Sequence, residues 1–527
     1  MNKNLSKTWS QYEAGKEYKR RIGLYERVQT NERYYRGEQW DSGSGDLPKP
    51  VFNIIRRMID YMICTVASGN ICISYSDENL PFIRSTAQAK LVANGVEAMT
   101  KNAAYRWERS KMGNLTYKLL SDAAISGDGA LYCYWDSDAE SGQIFGGDII
   151  TSVIDSTNIF PANVNSPDIQ SQEYIIISGR ESVRSLREQA REHGVSPELC
   201  KKISPDKEFF LGAGDLSSYE LEGDDESKTT YLIKFWREDG FVCFEKSTRE
   251  CVIHRAKTAC RLYPIAFFNW YRTKNSFHGT SPISNIIPNQ NFINRAYAMV
   301  MKHMTDTAFS KVIYDKSKIP EWSNKVGEAI GAMGGGNIAD SVSVVGVGQM
   351  QSGYTELIEL AVAMTKELSG VTDSALGNVI PQNTSAIVAL QETSRLPLEM
   401  IRSAFSQCLE DLANIWADMM CVYYPKERLL PFYEDGMLKA ASVDLPSLRS
   451  SLVKSKVEVG NINNYSDSGS QAVLDKLLDG GHITTVQYLQ HLPDGALATR
   501  TALIESLNLN AEGSAKKEEK ESRKNEF

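Results

Sequence analysis

Few residues of this 527-residue chain fall into patterns that catalysis uses. The six histidines (193, 254, 278, 303, 482 and 491) form no His-Glu-x-x-His pair and no other metal-ligand spacing. No Gly-x-x-x-x-Gly-Lys-Ser/Thr loop is present to cradle phosphates on backbone N–H groups, and no Gly-x-Ser-x-Gly elbow presents a serine nucleophile. Gly346-Val347-Gly348 lacks the third glycine of a dinucleotide fingerprint and reads as a strand-end turn. Asp128, between Gly127 and Gly129, stands where a catalytic carboxylate could, but a turn residue bonding local backbone is the plainer reading. The acidic stretch 204–228 sets eight carboxylates against two lysines without the spacing of an EF-hand, and is expected to be a solvated surface loop. The nine cysteines are odd in number and include no Cys-x-x-Cys. They are expected to be free, small, buried hydrophobes in a reducing compartment. No catalytic site, metal or cofactor is expected.

The elements around these residues suggest a structural role. The length predicts about three to four domain-sized units. No window approaches the roughly 18 apolar residues of a membrane span, and the start, Met1-Asn2-Lys3-Asn4-Leu5, lacks the apolar core of a secretion signal. The net charge of −8 disfavours a tight grip on nucleic acid, which needs a basic surplus. One helical run is predicted over 5–36, a second over 54–67 and a third over about 83–126, broken by Gly127-Asp128-Gly129. Short strands follow at Ala130–Trp135, Ile149–Ile154, Tyr174–Ser178 and Thr230–Trp236. The last is joined to Phe241–Phe244 by the hairpin turn Glu238-Asp239-Gly240, and one helix, Ser182–His193, interrupts the series.

The second half changes character. A helix is predicted from Asn289 to Ala308, following Pro288, a residue that suits a helix start. A small unit follows: strand Lys311–Tyr314, helix Glu321–Ala332 and strand Ser341–Val347. A further helix spans about Tyr354 to Ser369. Beyond a low-charge loop, a long helix near 385–421 carries Leu398, Ile401, Phe405, Cys408, Leu412, Ile415 and Met419 at 3,4 spacing, with Pro397 expected to kink it. Strands are predicted over 429–462, short helices over 469–508, and a disordered charged tail over 511–527. A helical hairpin carrying a small α/β unit has two readings: a plain hairpin in a monomer, or a stalk whose apolar faces pack side by side in a ring.

Several motifs, in order along the chain, resemble those of portal proteins of tailed bacteriophages. Tyr35-x-Gly37-x-Gln39-Trp40 followed by Pro50-x-Phe52-Asn53 is similar to the family's N-terminal signature, and Ser126-Gly127-Asp128-Gly129-Ala130-Leu131-Tyr132 to its helix-to-strand joint. Gly279-Thr280-Ser281-Pro282-Ile283 resembles the approach to its first stem helix. Glu367-Leu368-Ser369-Gly370-Val371 resembles the end of the second, and Ser385–Glu392 the start of the helix that follows.

The resemblance implies an α+β portal fold assembled as a ring, usually of twelve subunits. Its parts are a wing (1–278 and 386–463), a stem (279–308 and 353–370), a clip (309–352), a tunnel loop (371–385) and a helical crown (464–510), with the tail at 511–527. It also implies a non-catalytic channel at one capsid vertex, assembled in the host cytoplasm. Double-stranded DNA would pass through it without regard to sequence, packaged by a terminase motor and later ejected. Other implied partners are a head-completion adaptor, the major capsid protein and, as an optional one, a scaffold; a membrane is not among them. The loop candidates for touching DNA are Thr372, Asp373, Asn378, Gln382 and Asn383, with packing against neighbouring loops as the alternative. Arg295 and Lys302 could face the channel, or else solvent or an intersubunit ion pair. Glu321, Trp322 and Lys325, on the predicted clip helix, are candidates for partner binding, though for Trp322 a core position is the favoured reading. Met301 and Met304 are candidates for packing between stems. The formal charges are +1 over 281–308, −2 over 353–370, −1 over the loop and −3 over 464–510, which suits sliding better than clamping. A nuclease or translocase, and a scaffold with no DNA role, are the competing classes.

Overall fold

The computed structural model describes residues 3–40, 47–67, 70–77, 86–206, 227–307, 311–323, 325, 330–334, 337–345, 353–371, 384–434, 437–450, 453–460 and 474–491. The fold is mixed α+β, with several small antiparallel sheets among helices.

The first predicted helix is two: α1 (Lys3–Arg21) and α2 (Leu24–Arg36), separated at Gly23, whose φ of 63° is left-handed. Helix α3 (Ile54–Ala67) buries Ile55, Met58, Ile59, Met62, Ile63 and Val66. The run predicted over 83–126 is also two helices, α4 (Thr86–Arg109) and α5 (Met112–Ser126), broken at left-handed Lys111. Strand β1 (Asn70–Asp77), absent from the prediction, lies between α3 and α4 and pairs with a strand almost four hundred residues away.

Strand β2 (Asp128–Asp136) lies between β3 (Asp148–Ile154) and β9 (Ile265–Asn269) in a three-stranded sheet. A five-stranded sheet runs in order β4 (Ile159–Pro161), β5 (Tyr174–Ser182), β6 (Lys228–Glu238), β7 (Phe241–Ser247) and β8 (Val252–Lys257). The turn between β6 and β7 has Asp239 and Gly240 both at positive φ with Glu238 opposite Phe241, the primed geometry that suits a two-residue hairpin. Helix α6 (Val183–Glu192) starts where Ser182 accepts the Ser185 N–H, and α7 (Pro197–Lys202) follows.

Helix α8 (Pro282–Thr307) begins seven residues before the predicted start, so Pro288 lies inside it. Its real N-terminus is Ser281-Pro282, with the Ser281 hydroxyl accepting the Ile283 N–H. Strands β10 (Lys311–Tyr314) and β11 (Val342–Val345) pair antiparallel. The helix predicted over Glu321–Ala332 is absent from the described residues there, which are irregular. Helix α9 (Gly353–Leu368) returns along α8, and α10 (Thr384–Tyr423) runs 40 residues through Pro397. Then come β12 (Leu429–Glu434), β13 (Met437–Ser442) and β14 (Val453–Gly460), the last pairing with β1. Residues 474–479 and Thr485–His491 are helical. Most of the acidic stretch 204–228 and the charged tail lie outside the described residues.

All seven predicted seam residues of α10 are buried in the main core, together with Leu409, Ala413, Trp416 and Met420. The helix is therefore embedded among α3, β2 and β9 and the strand that pairs with β1, rather than zipped along one edge. All nine cysteines are free. Cys64 and Cys72 are exposed, correcting the expectation that they are buried.

Candidate functional site

Helix α8 is anchored at its base and bare at its far end. The base is held where two motifs, read separately in the sequence, form one joint. Asp128 is 0% exposed and accepts hydrogen bonds from His278 Nδ1 at 2.6 Å, the Gly279 N–H at 2.6 Å and Asn269 Nδ2 at 2.7 Å. It is not the local turn-former expected; its partners come from β9 and the approach to α8. The flanking glycines are required by contact. A Cβ on Gly127, already at φ 97°, would stand 2.9 Å from the Gly279 carbonyl oxygen, and one on Gly279 would stand 2.7 Å from that of Tyr271. Ser281 completes the joint, its hydroxyl donating to the Ala124 carbonyl at 2.5 Å. Burial pushes the His278 imidazole below its ordinary pKa, with the Asp128 carboxylate opposing the shift. Its Nε2 is buried without a hydrogen-bond partner among the described residues.

A second polar lock holds the next two turns. Gln290 Nε2 donates to the Phe52 carbonyl at 2.8 Å and its Oε1 accepts the Ile54 N–H at 3.1 Å. Asn294 Nδ2 donates to Gln39 Oε1 at 2.7 Å, and Asn53 Nδ2 to the Tyr35 carbonyl at 2.9 Å. The Phe52 ring lies 4.4 Å, centre to centre, from that of Tyr297. The residues of the N-terminal signature thus converge on α8. The end of α9 is fixed as well: Gly370 turns at φ 73° against Pro397 of α10, and Val371 is buried in the main core.

Nearby, Lys19 is buried and donates to the carbonyls of Thr157 at 2.7 Å and Ile159 at 2.6 Å, its ammonium 3.9 Å from the Phe160 ring centre. Burial lowers its pKa to about 7, against the pull of Asp155 and Asp128. Neither Lys19 nor the Asp128–His278 pair was singled out in the sequence as a structural anchor. The two partners of that pair are 150 residues apart, beyond the reach of any spacing rule.

The far end contrasts with this base. On α8 the last turns leave Met299, Met301 and Met304 exposed, Met301 at 42% and Met304 at 61%, while on α9 an exposed apolar stripe runs the whole length of the helix, from Tyr354 through Leu357, Leu360 and Met364 to Leu368 beside the fixed end. Of α9, only Ile358 and Thr365 are buried. Arg295 is exposed, and Lys302 pairs with Asp306 one turn on at 3.5 Å. In the irregular segment Glu321 and Lys325 are exposed, and Trp322 stacks on Tyr314 of β10 at 5.4 Å, so no helix presents the three together. Thr372, Asp373, Asn378, Gln382 and Asn383 lie outside the described residues. No helix among the described residues is long and apolar enough to cross a membrane.

The core clamps the base of the helical hairpin, while apolar side chains along α9 and on the last turns of α8 lie bare. Residues 246–437, from β7 through both hairpin helices and α10 to the start of β13, match the family described as Phage P22-like portal protein. The match supports a phage portal protein, and the resemblance read from the motifs stands. That family is structural and non-catalytic, and it implies a capsid component of the virion. No curated protein matches the chain.

Proposed function

We propose that the chain assembles into a closed ring forming a DNA channel at a capsid vertex. The observation that carries this reading is the apolar stripe of α9 and the α8 methionines, which the single chain leaves bare. Contiguous apolar surface of this kind marks an interface. Identical hairpins set side by side bury it in a head-to-tail contact that closes on itself. In this reading 279–308 and 353–370 form the stem, 309–352 the clip, 371–385 the tunnel loop, 464–510 the crown, and the remaining core the wing. The stem's small net charge suits duplex DNA passing without a strong phosphate grip, driven inward by a separate terminase and released later. The clip, with Glu321, Trp322 and Lys325, is where terminase and then a head-completion adaptor would dock.

The test is the mass and shape of the purified protein by light scattering and negative-stain imaging. A symmetric ring with a central hole, near twelve times 58.8 kDa, is the expected result. A persistent monomer, even with a scaffold supplied, overturns the ring reading.

A further inference from the structure

Away from the hairpin, three arginines surround one carboxylate in a cleft. Arg106 and Arg109 come from the last turn of α4, Arg428 from the turn before β12, and Asp148 from the first position of β3. Their nitrogens lie 3.6, 3.7 and 3.5 Å from the Asp148 oxygens, so each is an ion pair longer than a good hydrogen bond. The close contact to Asp148 is instead the Tyr424 hydroxyl, which donates at 2.7 Å. The guanidinium groups spend their short bonds on neutral oxygens. Arg106 donates to Tyr424 Oη and the Ile149 carbonyl, Arg428 to the Gly147 carbonyl, and Arg109 to the Ser141 and Glu140 carbonyls.

Three positive charges thus face one negative charge, which leaves an excess of two. The carboxylates nearest in sequence, Glu108, Glu140 and Glu427, are on exposed residues. Arg106 and Arg428 are almost wholly buried, and Arg106 Nε has no hydrogen-bond partner among the described residues. Aromatic faces offset part of this charge, Trp416 at 5.0 Å for Arg106 and Tyr424 at 3.8 Å for Arg428, and the net excess of two remains. Between these groups and the bridge from the Gln143 amide to the Leu429 backbone lies a cleft of about 30 Å³. That volume holds roughly two water-sized oxygens, and the cleft opens to solvent past Arg109, whose side chain is 35% accessible.

We propose that this cleft binds a tetrahedral oxyanion of the phosphate class, two of its oxygens entering between the guanidinium groups and the rest facing solvent. Planar guanidinium forks match such an anion in both geometry and charge. Free phosphate and a nucleic-acid backbone phosphate share this chemistry.

The experiment titrates the full-length protein with inorganic phosphate by calorimetry, at constant pH and ionic strength with chloride as the balancing anion. Saturable binding of one phosphate per chain is expected. Arg109→Gln, at the exposed rim, should weaken it by about tenfold or more. Asp148→Asn raises the excess charge and should tighten binding several-fold, a gain that misfolding cannot mimic. Absence of saturable binding in both the native chain and Asp148→Asn, or equal binding by Arg109→Gln with its thermal unfolding unchanged, overturns the proposal; in the latter case the ion is adventitious. With the site established, competition by a short DNA duplex separates the sources. Displacement of phosphate assigns the site to a nucleic-acid backbone, and retention assigns it to the free anion.

Discussion

The first half of α8 is enclosed by α2, α3 and α5, and its polar side chains are met by Gln39 and the backbone of Phe52 and Ile54. Its last turns carry Met299, Met301 and Met304 into solvent. The two halves share one helix and one sequence style, so helix-forming tendency does not distinguish them. What differs is where their partners lie. The base finds its complement in this chain, through hydrogen bonds that demand specific neighbours. The far end presents non-directional apolar surface, which a second copy can cover without atom-by-atom matching. A chain built this way can hold a stable protomer while leaving assembly to a separate step.

The comparison breaks most severely at Asp128. Asp128→Ala leaves His278 Nδ1, the Gly279 N–H and Asn269 Nδ2 buried without their acceptor. The expected loss is about 3–5 kcal/mol of unfolding free energy, read from the urea midpoint. A loss below about 1 kcal/mol would mean that the joint is not what holds the base. Next comes Lys19. Its pKa is about 7 in the folded protein against the ordinary 10.5. Between those values the unfolded chain binds more protons than the folded one, so stability rises with pH across that window and gains nothing from this group below it. At most about 1.4 kcal/mol per pH unit is available from one proton. Lys19→Met should abolish that slope in urea unfolding from neutral to mildly alkaline pH. Parallel slopes for the two proteins would show that Lys19 keeps an ordinary pKa in the fold.

Much of this contrast was legible in the sequence, for physical reasons that also set its limits. Strand alternation and the Asp239-Gly240 turn are local, and they located β2, β3, β5, β6 and β7 closely. The seam of α10 was readable because burial imposes its period. Helix breaks at Gly23 and Lys111 were missed because the apolar pattern continues across them and a single left-handed residue leaves little trace. Pro288 was placed at the start of α8 because a proline usually marks a helix end, yet Ser281-Pro282 supplied that signal one motif earlier. β1 went unseen since its partner, β14, lies at the other end of the chain. Of the candidate site, the motifs were visible but their meeting was not. Gly127-Asp128-Gly129 and Gly279–Ile283 are adjacent only in space, as are Arg106, Asp148 and Arg428.

The smallest effect on stability is expected at the far end, where it sharpens the comparison most. Met301 and Met304 are 42% and 61% accessible in the single chain, so replacing both by Asp removes little buried area. It should change unfolding of the protomer by no more than about 0.5 kcal/mol per site. In the ring, the same two carboxylates would be repeated around the circle in an apolar contact and desolvated without partners, a cost that multiplies with the number of subunits. Met301→Asp with Met304→Asp should therefore yield a folded protomer, with circular dichroism and urea midpoint near those of the native chain, that sediments as a monomer under conditions where the proposed ring of the native chain would assemble. Rings of unchanged size and yield would show that the α8 methionines lie off the subunit interface, and the stripe on α9 would then have to supply the contact alone.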